Sequence, residues 1–287
     1  MKQSISSFLT ASFSVTDRQA LATREVAEST NLYMRKDEAE LSDDEKTKYI
    51  SAVTTLIENK RYNEIVNIHA DMSADMHGRN MATGQISRTG VQRFLPWHRA
   101  YLLEFEKMLQ EIDPEVTIPY WNWTKNQRFP DWLSGLLPTG LINRMGETYD
   151  VERYIGRDGD LPDSNDIVEG MNPATHNNYT DFTLFLEGWV PYGAHNQVHV
   201  YVGADQRNGP VGEMSTMYSP ADPIFWLHHA ECDRLWHIWQ LTHQDEHASL
   251  TGPSAIMNPW NYRYKDLVQI EDLGYTYRSL SLISEVL

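Results

Sequence analysis

Apolar residues return at helical spacing in several stretches of the chain, and turn residues separate them. In LSDDEKTKYISAVTTLIENK, residues 41–60, Tyr49, Val53 and Leu56 recur every three or four positions. Ser42 precedes three acids there, which predicts a capped helix with a charge-stabilised first turn. RYNEIVNIHADM, residues 61–72, predicts a second helix with Ile65, Ile68 and Met72 on one face. PWHRAYLLEFEKMLQEI, residues 96–112, predicts a third, with Pro96 in its first turn and Asp113-Pro114 as its stop. VTIPYWNW, residues 116–123, reads as extended, and Thr124 to about Asn178 as loop. A loop of that length either wraps the surface or shapes the rim of a cleft.

Two short helical pieces follow, YTDFTLFLEGW and GAHNQVHVYVG, then a long helix in ADPIFWLHHAECDRLWHIWQLTHQ that starts near Asp222. The tail from Pro259 mixes a short helix with an extended end. At the other end, residues 1–15 read as an arm, with a helix expected over Asp17–Glu28. With no internal repeat and no linker-like shift in composition, a single mainly α domain over 1–287 is the simplest account.

Composition narrows the chemistry. The net charge is −16 with no basic block, so nucleic acid and anionic membrane are poor partners. No apolar run reaches the roughly 18 residues a membrane span needs. The N-terminal apolar stretch is broken by serines and makes a weak signal peptide, so the expected location is cytoplasmic, with leaderless export as the alternative. Cys232 is the sole cysteine, which excludes cysteine-based zinc and iron–sulfur sites. Metal chemistry then falls to histidine and carboxylate.

Histidine is placed for it. His195 and His199, four apart among valines, share one helix face. His228 and His229 lie in an apolar helix, and His69 and His98 each sit on a helix beside apolar residues. Four helices thus each offer imidazole to one interior, as metal-binding four-helix bundles do. Imidazole-only ligation favours copper or zinc. The bland alternatives are a structural core histidine at His98 and a chance pair at 195 and 199. The pair His243 and His247, among Gln244, Asp245 and Glu246, reads as a solvated helix end.

FLPWHRAYLLEFE, HNQVH and DPIFWLHHAECDRLW, in that order, resemble the central domain of tyrosinases, in the type-3 copper family. The resemblance runs from about Tyr62 to Tyr277. It implies a four-helix bundle core with little strand, holding two coppers on three histidines each. For the second copper it implies His195, His199 and His229, with His228 structural or behind the ligands. Asp233, a turn beyond His229, is placed either to orient a ligand ring or to pair with a nearby arginine. Cys232 reads as a core residue, with no cysteine placed for the thioether link some members carry.

For the first copper the resemblance implies His69 and His98, but the usual second position, nine residues before His98, holds Thr89. His77 is either a substitute that swings in or a surface histidine. Without it the first site is expected to be labile or partly empty. Met72, Met76 and Met81 are also near; thioether binds Cu(I), though core packing is their default role.

Glu187 and Asn196 match the family's water-holding pair, which takes the proton of an incoming phenol. Val200, after His199, offers no charge to hold an amino-acid carboxylate and leaves room for substrates other than free tyrosine. The implied reaction is ortho-hydroxylation of monophenols and oxidation of o-diphenols or o-aminophenols to o-quinones with O2. The competing expectations are a catechol or o-aminophenol oxidase, a protein with an impaired first site, and a dioxygen carrier. No lid domain follows Tyr277, which implies either no latent form or a separate copper chaperone.

Overall fold

Ser42 opens the first helix, α1 (Asp43–Glu58), by accepting from the Glu45 amide while Glu45 reaches back to the Ser42 amide. The computed structural model describes residues 32–78, 85–172, 174–188 and 193–280, and only the backbone of 72–74. The N-terminal arm, the helix expected over Asp17–Glu28, Met81 and the side chain of Met72 lie outside the described residues. A left-handed turn at Lys60 leads into α2 (Arg61–Met76), which carries His69 on a buried face.

The third helix departs from expectation. α3 runs Arg88–Gln110, so Pro96 sits in its interior and not in its first turn. Proline has no N–H to give the carbonyl four residues back. Here that carbonyl, of Gln92, is satisfied from outside: the Tyr179 hydroxyl donates to it at 3.1 Å. Ser87 caps the true start, accepting from the Gly90 amide at 3.0 Å.

The stretch read as loop, 124–178, also holds structure. A short antiparallel pair joins β2 (Leu141–Ile142) to β3 (Thr148–Tyr149), and α4 (Ser164–Gly170) is capped at Asp163. Helix α4 is too short to show an apolar period, and its capping box uses Asp166 where glutamate is the usual signal. α5 (Tyr179–Glu187), α6 (Ala194–Gly203) and α7 (Ile224–Thr242) follow. The tail forms 3-10 turns at Tyr264–Leu267 and Glu271–Leu273 in place of the expected short helix. It ends as β4 (Tyr275–Tyr277), parallel to β1 (Tyr33–Arg35).

The molecule is mainly α around a four-helix core. α3 packs on α2 and α7, and α6 packs on α7. Buried aromatics fill the contacts; Phe105 and Trp226 stack at 3.8 Å. The paired strands lock onto this core through charge. Arg35 of β1 donates to Glu106 of α3 at 2.9 Å, and the hydroxyls of Tyr275 and Tyr277 in β4 donate to Asp233 of α7 at 2.7 and 2.6 Å.

One expectation is corrected here. α7 stops at Thr242, and the His243 ring lies buried and flat on Trp239 at 4.4 Å, while His247 alone is exposed. The helix is too short to make them a solvated pair. Among the described residues, no helix is long and apolar enough to cross a membrane.

Candidate metal centre

Helices α2 and α3 bring His69 and His98 together, and the chain just past α2 adds His77. The nitrogens these three offer lie within 4.8 Å of one another. Of the two alternatives for His77, the ring is turned inward and its side chain is 12% exposed. Thr89 is exposed on the first turn of α3 and does not reach the cluster. Its neighbour explains why His77 does. A Cβ on Gly90 would fall 1.8 Å from the His77 carbonyl oxygen, so only glycine lets that backbone lie against α3.

Each imidazole of this cluster has its Nδ1 engaged and its Nε2 bare. His69 Nδ1 donates to the Met217 carbonyl at 2.8 Å, and His98 Nδ1 to the Phe94 carbonyl at 2.8 Å. His77 Nδ1 bonds Glu187 Oε1 at 3.0 Å. All three Nε2 atoms are buried without a hydrogen-bond partner. A proton held on Nδ1 leaves the Nε2 lone pair free.

The second cluster gathers His195 and His199 from α6 with His228 and His229 from α7, their nitrogens again within 4.8 Å. His195 Nδ1 donates to Asn196 Oδ1 at 3.0 Å, and His199 Nδ1 donates to the Met214 carbonyl. Their Nε2 atoms face each other at 3.0 Å, and His229 Nε2 lies 3.3 Å from that of His195. Lone pairs that close repel unless a cation or proton sits among them. His228 stacks on His195 at 5.1 Å, and neither of its nitrogens has a hydrogen-bond partner. The group therefore holds four imidazoles where three ligands were expected, with three Nε2 atoms in mutual approach.

The clusters adjoin. His98 and His229 stack at 4.3 Å across the divide. Phe94 lies 4.8 Å from His98 and 4.9 Å from His195, and Phe225 lies 4.1 Å from His229 and 5.3 Å from His69. This apolar packing sets protonation. Burial pushes His69, His98, His195 and His229 well below the ordinary histidine range, and neighbouring imidazoles push the same way. Burial brings His199 down to about 4. These rings are neutral at pH 7, the form that binds metal. Buried imidazole nitrogens, three bare in one group and three facing one another in the other, fit a pair of copper ions.

Asp233 does not orient a ligand ring. Burial would raise its pKa, but Arg99 and Arg35, with the two tyrosine hydroxyls, outweigh burial and hold it below the usual carboxylate range. Arg99 Nε bonds it at 2.5 Å, and His229 Nδ1 has no partner. Asp233 lies a turn beyond His229 yet faces the strand clasp. Glu187 and Asn196 both reach the centre. The Glu187 carboxylate, 3% exposed, accepts from His77 and from the Gly78 amide. Asn196 donates to the carbonyls of Glu187 and Gly188. Met76 is core, as is Cys232, whose thiol burial pushes up.

A helical bundle that collects imidazoles from four helices into two adjoining clusters is the architecture of a dinuclear metal protein. The family model for the common central domain of tyrosinase matches residues 59–157 and 141–242. The tyrosinase of Streptomyces galbus is 35% identical over 268 residues, covering 79% of this chain and 93% of that protein. That of Streptomyces glaucescens is 34% identical over 268 residues, with 79% and 92% covered. In fold, a polyphenol oxidase mutant from Thermothelomyces thermophila superposes with a TM-score of 0.58 at 19% identity, over 88% of this chain and 81% of that one. The chain belongs to the tyrosinase family and is a copper-dependent oxidoreductase.

Proposed function

We propose that this chain, as one tyrosinase-like domain, oxidises phenols with dioxygen at two coppers. His69, His77 and His98 hold one; His195, His199 and His229 hold the other. The observation that carries this is the convergence of buried imidazole nitrogens in two adjoining groups, three Nε2 atoms without a partner in one and three facing one another in the other. Bound copper supplies the activation of dioxygen and the oxidising equivalents. A monophenol and O2 give an o-quinone and water; two o-diphenols and O2 give two o-quinones and two waters.

The chain's own residues supply position, dryness and a proton path. Phe94 and Phe225 keep the site apolar, which strengthens each electrostatic contact within it. Glu187 and Asn196 serve the proton path, with a phenol giving its proton through one water to Glu187 Oε2. Measured per copper pair, Glu187→Gln is expected to lower monophenol turnover much more than diphenol turnover. Equal losses on both substrates would sink that role.

One observation favours a second reading, a catechol or o-aminophenol oxidase without monophenolase activity. Both Glu187 oxygens already accept hydrogen bonds, one from His77 and both from Gly78. Quinone release under air from a monophenol and from its diphenol separates the two readings. Release from neither would point to a dioxygen carrier.

A further inference from the structure

His77 stands in an unusual setting for its cluster. His69 and His98 each rest Nδ1 on a main-chain carbonyl. His77 rests it on a carboxylate that arrives from another helix, at the C-terminus of α5. We propose that Glu187 is a positioning residue for the first metal, fixing the His77 ring so that its Nε2 faces those of His69 and His98. This rests on the reading of His77 as a ligand.

The local chain is built around that contact. Both Glu187 oxygens lie within hydrogen-bonding distance of the Gly78 amide, at 2.8 and 2.9 Å. A Cβ on Gly78 would fall 2.7 Å from Oε2 and 2.7 Å from a Val91 methyl, so the approach requires glycine. The Gly78 carbonyl accepts from the Ser87 amide at 2.8 Å. The backbone on both sides of the His77 ring is thus pinned between the start of α3 and the end of α5.

A carboxylate has one further property that a carbonyl lacks. It accepts only and is charged, so it holds the proton on Nδ1 and makes Nε2 a better donor to metal. Glutamine at the same place would also carry an NH2 group. With its oxygen on Gly78, that group would face Nδ1 and drive the ring proton to Nε2, where it blocks metal.

Glu187 also touches the second cluster, by its backbone. Its carbonyl accepts from the Asn196 amide, and Asn196 Oδ1 accepts from His195. A side-chain substitution at 187 leaves that second link intact, so the two sites are separable by experiment.

The metal-free full chain is titrated with Zn2+ against a competing chelator, as wild type, His77→Ala and Glu187→Gln. Wild type should take two tight equivalents. Glu187→Gln should keep one unchanged and weaken the other by at least tenfold, the usual range for such an outer partner being about 10–100-fold. The unchanged equivalent doubles as the check that the variant folds. If His77→Ala still binds two ions tightly, the ligand assignment itself fails. If His77→Ala binds one and Glu187→Gln binds two with wild-type affinity, only the role of Glu187 is overturned. A 15N spectrum of the wild-type imidazoles needs no variant: His77 should carry its proton on Nδ1, and a proton on Nε2 would overturn the proposal.

Discussion

At the scale of single residues, the centre depends on where each imidazole keeps its proton. For His195, His199 and His229 the folded-state pKa lies below the ordinary 6.5, His199 at about 4. The unfolded chain therefore takes up more protons on acidification than the folded one. Stability of the metal-free chain should be full above about pH 6.5 and fall as pH drops from there toward 4. Urea unfolding in a strong chelator across that range checks this; a flat profile would contradict the burial of neutral rings. Five of the six proposed ligands were legible because motifs and helical spacing mark them. His77 was legible only as an alternative, since its inward turn depends on the missing side chain of Gly90 and on Glu187, 110 residues distant.

At the scale of elements, the sequence spoke clearly for α1, where apolar period and cap agree, and for α2, α6 and α7 by helical spacing alone, since none of these three opens on a side-chain cap. It misplaced the start of α3, because proline is normally read as a first-turn residue. The compensating donor, Tyr179, belongs to another helix and carries no local signal. Tyr179→Phe should therefore cost on the order of 1–3 kcal/mol, the usual penalty for a carbonyl left unsatisfied, while metal stoichiometry stays unchanged. Chemical denaturation with a metal count reads both. Asp233 was legible as one of two alternatives, orienting a ligand ring or pairing with an arginine, and its contacts, Arg35, Arg99, Tyr275 and Tyr277, are those of the second. Asp233→Asn should destabilise the fold by about 3–5 kcal/mol, as removal of one member of a buried ion network does. The lowered pKa of Asp233 adds a sign: its contribution is present above the ordinary carboxylate pKa and is lost as pH falls through the folded value.

At the scale of the whole molecule, a net charge of −16 surrounds a small apolar centre. Phenols that carry a carboxylate should be repelled on approach, and salt should relieve that repulsion. KM for an anionic phenol is expected to fall as ionic strength rises, with KM for a neutral phenol unchanged; identical salt responses would remove charge from the account. The extended end of the tail was legible but not its pairing with β1, whose residues lie at the other end of the described chain, and the β2–β3 pair was not legible because strands of two residues leave almost no period. If His77, and not Thr89, completes a first three-imidazole site beside a second one, copper per chain follows from it. The loaded wild type, His77→Ala and Thr89→Ala should hold two, one and two coppers; two retained in His77→Ala, or one in Thr89→Ala, would contradict that assignment.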